Sequence, residues 1–249
     1  MPTAAAEATS ETDRRRAQPR REIIYRHAWP VRLTHWINAL TIFILVGSGL
    51  NIFNAHPRLY WGQAGADFDK PFLAFARPWP DWLTLPSYMD LADARHWHFF
   101  FAWVLVMNGA FYLAWSLASR HIQRDLWPTA GDLRAIPRSI ADHIRLKHPK
   151  GEAAKRYNVL QRLAYVGLLA LAVGMVLTGL CMSPGFDAFA PWLVAALGGR
   201  QSARTLHFLF ASAIVLFIAV HLIEVVLAGP LNELRSMITG RYAVPGEHD

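Results

Sequence analysis

Residues 205–223 read TLHFLFASAIVLFIAVHLI, a run without any Asp, Glu, Lys or Arg. A helix needs about 18 or more such residues to span a bilayer. His207 and His221 lie fourteen residues apart in this run. At about 100° per residue, fourteen residues complete almost four turns, so both imidazoles project from one face, about 21 Å apart along the axis. The run therefore predicts a membrane-spanning helix with a histidine near each membrane border.

The composition of the whole chain also indicates a membrane environment. Of 249 residues, 53% are hydrophobic and 17% are charged, whereas about 25% are charged in an ordinary soluble domain. Three further charge-free windows are Leu33–Pro57, His96–Ser119 and Leu163–Phe186. We therefore predict an all-α integral membrane protein, a four-helix bundle within residues 26–242. The predicted helices span about residues 33–54, 96–119, 160–183 and 204–228.

The distribution of Lys and Arg predicts the orientation of this bundle. They concentrate in the N-terminal segment and between the second and third spans, whereas the first connection has five aspartates against four basic residues. Because positively charged flanks stay cytoplasmic, we place both termini and the second loop in the cytoplasm, with the first and third loops outside. The net charge of +7 then reflects topology and contact with anionic membrane lipid, and no basic base-reading helix indicates nucleic-acid binding.

The segments outside the spans carry weaker signals. Residues 1–25 are polar and Arg-rich, which predicts a disordered basic tail without the apolar core of a signal peptide. Residues 243–249 form a short C-terminal tail. Trp61–Leu91 is too polar to span, and its tryptophans and prolines suit the outer headgroup level. Arg134–Asn158 is expected to contain a short amphipathic helix on the inner surface.

The single cysteine, Cys181, excludes several cofactor classes. One cysteine cannot form an intramolecular disulfide, a thiolate iron–sulfur cluster or a four-cysteine zinc site. The chain also lacks the Cys-x-x-Cys-His motif, which excludes the usual covalent attachment of c-type haem.

Histidines at matching depths complete two pairs. His35, early in the outward-going first helix, lies at the inner border and is expected to pair with His221. Either His96 or His98, at the start of the second helix, lies at the outer border and is expected to pair with His207. Two neutral imidazoles fill both axial positions of a haem iron, which gives an electron-transfer centre. The sequence therefore predicts two b-type haems stacked across the membrane.

The remaining histidines are expected to be solvated in loops or tails: His27, His56, His121, His143, His148 and His248.

Arginines favour His98 over His96 as the ligand. Arg32, Arg95 and Arg204 each precede a histidine by three residues, and that histidine is His98 in the case of Arg95. Residues three apart are neighbours on a helix, and a guanidinium binds a carboxylate well, so these arginines could contact haem propionates. The alternative is that membrane helices commonly begin with Arg.

Two glycines carry a weaker geometric signal. Gly49 lies fourteen residues after His35, and Gly109 lies eleven after His98. Each is expected on the face of its histidine, where a missing side chain would let a porphyrin approach the backbone. Close packing of helices through small residues is an equal alternative.

Short motifs at these positions resemble the bacterial di-haem b-type cytochromes that serve as membrane subunits of formate dehydrogenase, nickel–iron hydrogenase and thiosulfate reductase. The matching stretches are RLTHW at 32–36, RHWHFFFAW at 95–103, KRYNVLQ at 155–161 and the helix at 207–221. The resemblance covers roughly residues 26–242 and is closest to the thiosulfate-reductase-like branch. It implies a multi-pass location in the bacterial inner membrane. It implies that His35 and His221 hold the cytoplasmic-side haem, and that His98 and His207 hold the periplasmic-side haem.

The resemblance also implies an exchangeable quinone near the inner haem, with Asn158 close to the quinone ring and Gln161 one turn on. The alternative is that Asn158 simply caps the third helix. Glu224, three residues after His221, either relays protons between quinone and cytoplasm or extends into the headgroups. The long loop Ala55–Arg95 departs from the formate dehydrogenase pattern and leaves the identity of the catalytic partner open.

The leading hypothesis is a membrane-anchor subunit that transfers electrons between a periplasmic redox enzyme, or its iron–sulfur subunit, and the quinone pool. The redox enzyme would be of molybdopterin or hydrogenase type. The chain itself would at most oxidise or reduce quinone, since the haems supply the redox chemistry. A second hypothesis is a stand-alone transmembrane reductase for an external small-molecule acceptor. A third, a transporter whose histidines relay protons or bind a metal ion, is disfavoured because none of the four helices is interrupted.

Overall fold

The computed structural model describes residues 22–65, 68–76, 79–145 and 157–244. In chain order the strands and α-helices are β1 Ile23–Tyr25, α1 Trp29–Asn54, β2 Arg58–Leu59, β3 Leu73–Ala74, α2 Leu91–Ala118, α3 Ala130–Arg134, α4 Ile136–Ile144, α5 Val159–Cys181, α6 Pro184–Phe189, α7 Pro191–Ala196, α8 Arg200–Ala228, α9 Pro230–Thr239 and β4 Arg241–Ala243. A 3-10 helix at Asp81–Leu83 and a π-helix at Ile122–Leu126 are also present. Among the helices described, α1, α2, α5 and α8 are long and apolar enough to cross a membrane. The predicted bundle of four spanning helices is confirmed.

All four spanning helices begin four or five residues earlier than their charge-free windows. Helix α1 begins at Trp29 and has a proline in its first turn, where the missing N–H has no intrahelical partner in any case. Helix α2 follows Asp90, whose carboxylate accepts 2.9 Å hydrogen bonds from the N–H groups of Ala92 and Asp93. An apolar window omits these first turns because they contain charged residues at the membrane border.

The four helices form two closely packed pairs, α1 with α2 and α5 with α8. Within the described residues, backbone contact between one pair and the other is sparse by comparison. Only 6–28% of the most apolar window of each spanning helix is buried inside the protein. Lipid is therefore the solvent of most of these side chains.

The 55–90 loop folds onto one end of the bundle, which we call the loop end. Its β2–β3 hairpin is antiparallel, and Leu59 is fully buried. The Thr205 hydroxyl donates a 2.6 Å hydrogen bond to the Tyr60 carbonyl, and the Leu85 N–H donates to the Gly47 carbonyl at 3.0 Å. The loop therefore covers the first turns of α8 and the last turns of α1, in addition to presenting aromatic side chains outward.

The opposite end carries both chain ends, and we call it the terminal end. Strand β1 pairs antiparallel with β4, so residues 23–25, which the sequence assigned to a disordered tail, are ordered by a partner more than 200 positions away. Residues 1–21 of the N-terminal tail and residues 245–249 lie outside the described residues. The predicted amphipathic helix is present as α4, while residues 146–156 lie outside the described range.

Candidate haem site

His98 on α2 and His207 on α8 face each other near the loop end. Their ring centres lie 6.3 Å apart, with 61° between the ring planes. Nδ1 of His98 lies 3.0 Å from the Ser48 hydroxyl, and Nδ1 of His207 lies 3.0 Å from the Thr178 hydroxyl. With Nδ1 of each ring occupied, Nε2 is the nitrogen left to ligate a metal.

His35 on α1 and His221 on α8 form a second pair towards the terminal end. Their ring centres lie 6.4 Å apart at 68°. Phe217 stacks parallel to His221, with 6.0 Å between ring centres. Nδ1 of His35 is buried and has no hydrogen-bond partner among the described residues. The two pairs thus have nearly equal spacing but different hydrogen bonding.

The spacing of both pairs fits the two axial ligands of a haem iron. Imidazole nitrogens lie about 2 Å from a bound metal ion, so two imidazoles on opposite sides of one ion have ring centres about 6 Å apart. Within the described ranges, no group of three or more His, Cys, Asp or Glu is placed to hold a metal ion. A haem suits two histidines, because the porphyrin supplies the remaining ligands.

The structure separates the two candidate histidines of α2. The ring of His98 faces His207 and is partly buried, whereas His96 is exposed. The ring of His98 lies against Gly49, where a Cβ would be 3.4 Å from Cε1 of His98. A Cβ on Gly109 would have no atom within 4 Å, which leaves room beside α2.

The three arginines have different environments. Arg204 donates from Nη1 to the Arg58 carbonyl at 3.0 Å and from Nη2 to the His56 carbonyl at 2.6 Å, so it holds the 55–90 loop. Arg32 donates to the Ile238 carbonyl and ties α1 to α9. Arg95 is exposed, with its guanidinium 5.6 Å from the ring centre of Phe99. The shared spacing in sequence therefore does not give the three arginines a shared set of contacts.

Asn158 and Gln161 form a capping box at the start of α5. The Asn158 side chain accepts from the Gln161 N–H at 2.8 Å, and the Gln161 side chain accepts from the Asn158 N–H at 3.1 Å. The capping alternative raised by the sequence is thus present. It uses the amide oxygens and leaves the amide NH2 groups as donors. Glu224 is half-buried, one turn beyond His221 on α8.

A polar cluster at the terminal end was missed by sequence reasoning. His27 was expected to be solvated but is only 9% exposed, with Nδ1 3.3 Å from the Tyr157 hydroxyl. Burial, together with the positive charge of Arg26, lowers the pKa of His27 to about 4. Burial raises the pKa of Tyr157. His56 is also partly buried, stacked on Tyr60 with ring centres 5.7 Å apart. No local signal in the sequence distinguishes these histidines from exposed ones.

Comparison with known proteins agrees with this architecture. The profile of the prokaryotic cytochrome b561 family matches residues 26–240, which include all four spanning helices and all four facing histidines. The chain belongs to the prokaryotic cytochrome b561 family.

Curated relatives of this cytochrome are named as subunits of redox enzymes. The putative protein-methionine-sulfoxide reductase subunit YedZ1 of Azospira oryzae is 33% identical over 220 residues, covering 88% of this chain and 98% of the relative. The probable Ni/Fe-hydrogenase B-type cytochrome subunit of Cupriavidus necator is 26% identical over 230 residues, covering 87% and 85%. Its counterpart of the same description in Rhodobacter capsulatus is 26% identical over 217 residues, covering 82% and 74%.

Family membership confirms the predicted b-type cytochrome, its role in electron transport and its multi-pass membrane location. The cofactor of the family is b-type haem, which agrees with the spacing of the two histidine pairs.

Proposed function

We propose that this cytochrome binds two haems and anchors a redox enzyme to the bacterial inner membrane, transferring electrons between that enzyme and the quinone pool. The observation that carries the proposal is the pair of facing histidines at each of two depths, with ring centres 6.3 and 6.4 Å apart. Histidines in membrane helices are rare and usually functional. A single chance contact would not recur with the same spacing at a second depth.

The chain supplies ligation, spacing and exclusion of water. His207 and His221 lie on one continuous helix, so their separation of about 21 Å along the axis is fixed by helix geometry. We call His98 and His207 the outer pair, and His35 and His221 the inner pair. The 55–90 loop covers the bundle beside the outer pair through the hydrogen bond from the Leu85 N–H to the Gly47 carbonyl. Bound haem iron would supply reversible one-electron chemistry at each pair.

We place the redox partner on the loop end, outside the cytoplasm. This orientation follows from the Arg-rich segments that flank the terminal end, since positively charged flanks remain cytoplasmic. The relatives are named as subunits of a reductase or of a hydrogenase, so a partner of either class is consistent with the proposal. The partner can be sought by purifying this cytochrome, with its 55–90 loop intact, from the native membrane in mild detergent. Isolation of the cytochrome without a redox enzyme would contradict this role.

The number and pairing of haems are tested by single replacements of the ligands. The dithionite-reduced spectrum and the haem-to-protein ratio of wild-type protein should give two non-covalent b haems. His207→Ala and His98→Ala should lose the same haem, and His35→Ala and His221→Ala should lose the other. The control His96→Ala should retain both haems, because His96 is exposed.

Two results would contradict the proposed ligation. A colourless wild-type preparation would exclude haem, and loss of the same haem from His35→Ala and His98→Ala would exclude the pairing.

We further propose that the quinone site is at the terminal end, near Asn158, Gln161 and Glu224. A quinone carbonyl accepts hydrogen bonds, and the amide NH2 of Asn158 remains available because the capping box uses only its oxygen. Glu224, half-buried one turn from His221, is a candidate carrier for the protons that accompany quinone chemistry.

Capping and quinone contact can be separated by variants at Asn158. Asp and Ser both cap helices about as well as Asn but lack the amide NH2. If Asn158 contacts quinone, Asn158→Ser and Asn158→Asp should keep the wild-type thermal midpoint and raise the KM for a quinol analogue. Wild-type kinetics in both variants, with destabilisation only in Asn158→Ala, would leave Asn158 as a helix cap alone.

A further inference from the structure

Each histidine of the outer pair is held by the same set of contacts from the helix packed beside it. Ser48 and Gly49 on α1 contact His98, and Thr178 and Gly179 on α5 contact His207. In both cases the hydroxyl lies 3.0 Å from Nδ1. In both cases a Cβ on the following glycine would lie 3.4 Å from Cε1 of the histidine. The arrangement is thus repeated in the α1–α2 pair and in the α5–α8 pair.

The hydroxyls have a defined hydrogen-bond direction. Ser48 donates to the Ile44 carbonyl at 2.7 Å, and Thr178 donates to the Gly174 carbonyl at 2.7 Å. A hydroxyl has one hydrogen to donate, so towards the imidazole each oxygen acts as an acceptor. Nδ1 of His98 and of His207 therefore carries the proton, and Nε2 carries the lone pair.

Both hydroxyls are shielded from solvent. Ser48 is 0% exposed and Thr178 is 2% exposed. In this buried environment, water cannot replace a hydroxyl that is removed without first entering the packed helix pair, and hydrogen bonds are stronger than they are in water.

In the inner pair, His35 differs from the outer ligands at the corresponding atom. Nδ1 of His35 is buried without a hydrogen-bond partner among the described residues. When the N–H that does not face the metal donates a hydrogen bond, the ligating imidazole becomes more basic. Hydrogen bonds to the ligands are one of the means by which a protein sets a haem potential. His98 and His207 thus each have a hydrogen bond that raises their basicity, and His35 does not.

We propose that Ser48 and Thr178 are positioning residues that fix the metal-binding tautomer of His98 and His207 and lower the reduction potential of the haem between them. The more basic ligands stabilise ferric over ferrous iron, so the outer haem is held at a lower potential than its histidine ligation alone would give. This inference rests on the proposed function, since it requires a haem at the outer pair.

The test is a redox titration of the purified holoprotein and of the variants Ser48→Ala and Thr178→Val, with the outer haem assigned by its loss in His207→Ala. Each variant should shift the reduction equilibrium of the outer haem towards the ferrous form by roughly threefold to tenfold. At about 59 mV per tenfold for one electron, this is an increase of about 30–60 mV. The inner haem should be unchanged.

Three variants serve as controls. Ser48→Thr and Thr178→Ser keep the hydroxyl and should retain the wild-type potential. Ser212→Ala removes a hydroxyl that donates to the Phe208 carbonyl in the same way on α8, at 2.8 Å. Among the described residues this hydroxyl bonds no histidine, so the potentials should stay unchanged.

The outcomes separate this inference from the proposed function. A wild-type protein without an outer haem would overturn both. Two haems in the wild type, with an unchanged outer potential in Thr178→Val, would overturn the inference alone, as would an equal shift of both haems. Thr178→Val nearly preserves side-chain volume, so it remains informative if Ser48→Ala perturbs packing. Loss of only the outer haem in Ser48→Ala, with retention in Ser48→Thr, would support the positioning role.

Discussion

Replacing His27 with Asn is expected to remove a pH dependence of stability that the wild-type protein has between about pH 4 and pH 6.5. His27 is 9% exposed, and burial, with help from the positive charge of Arg26, lowers its pKa from 6.5 to about 4. Between these two values the unfolded chain binds a proton that the folded chain does not. Stability therefore rises with pH through this interval and is constant above it with respect to this group.

The magnitude follows from the two pKa values. Each tenfold difference in proton affinity corresponds to about 1.4 kcal/mol. A pKa lowered from 6.5 to about 4 therefore corresponds to a loss of about 3 kcal/mol when the pH falls below 4. At about 2–4 °C per kcal/mol for a chain of this size, the thermal midpoint should fall by about 6–12 °C from this residue.

The assay is thermal unfolding in detergent, followed by tryptophan fluorescence, for wild type and His27→Asn at several pH values from 4 to 7.5. Asn retains a polar atom near the position of Nδ1, so it can still bond the Tyr157 hydroxyl, which lies 3.3 Å from that nitrogen, but it does not titrate. Because other groups titrate in both proteins, the informative quantity is the difference between their midpoints at each pH.

The wild type should lose stability relative to His27→Asn as the pH falls, and the control His96→Asn, at an exposed position, should follow the wild type. A difference in thermal midpoint between wild type and His27→Asn that stays constant from pH 7.5 to pH 4 would contradict a lowered pKa of His27.

Three further predictions concern the attachment of the 55–90 loop and the packing of two glycines. Arg204→Lys should speed limited proteolysis within residues 55–90, because one ammonium cannot reproduce both guanidinium bonds to the carbonyls of Arg58 and His56; Arg235→Lys, at an exposed position, should leave the cleavage rate unchanged. Gly199→Ala should lower the thermal midpoint, because Gly199 has φ +107° and a Cβ there would lie 2.6 Å from the backbone of Gln63, a strain of about 1–3 kcal/mol. Gly174→Ala should also lower the midpoint, by overpacking against Phe210, whose ring lies 2.8 Å from the Cβ position, at a cost of about 1–3 kcal/mol. Gly167→Ala, where a Cβ meets nothing within 4 Å, is the matched control for both glycine variants and should be neutral or stabilising; equal destabilisation in all three would contradict the packing argument.

The four spanning helices and the expected depths of the histidines follow from the amino-acid sequence alone. In lipid, every backbone polar group must be satisfied within its own segment, so a long apolar run specifies a helix without reference to the rest of the chain. The fixed rise and rotation of that helix then place His207 and His221 on one face at two depths. The first turns at Trp29 and Leu91 were not predicted, because a charge-free window stops at the charged residues that these turns contain.

The contacts of the polar side chains become known only from the folded bundle. The repeated spacing of Arg32, Arg95 and Arg204 suggested a common role, yet Arg204 holds the loop and Arg32 holds α9. Asn158 and Gln161 form a capping box at the start of α5. Ser48 and Thr178 precede glycines within apolar helices, a signal that becomes specific only when the packed partner helix is known. These contacts join residues up to about 200 positions apart, and helix periodicity carries no information about which faces of different helices meet.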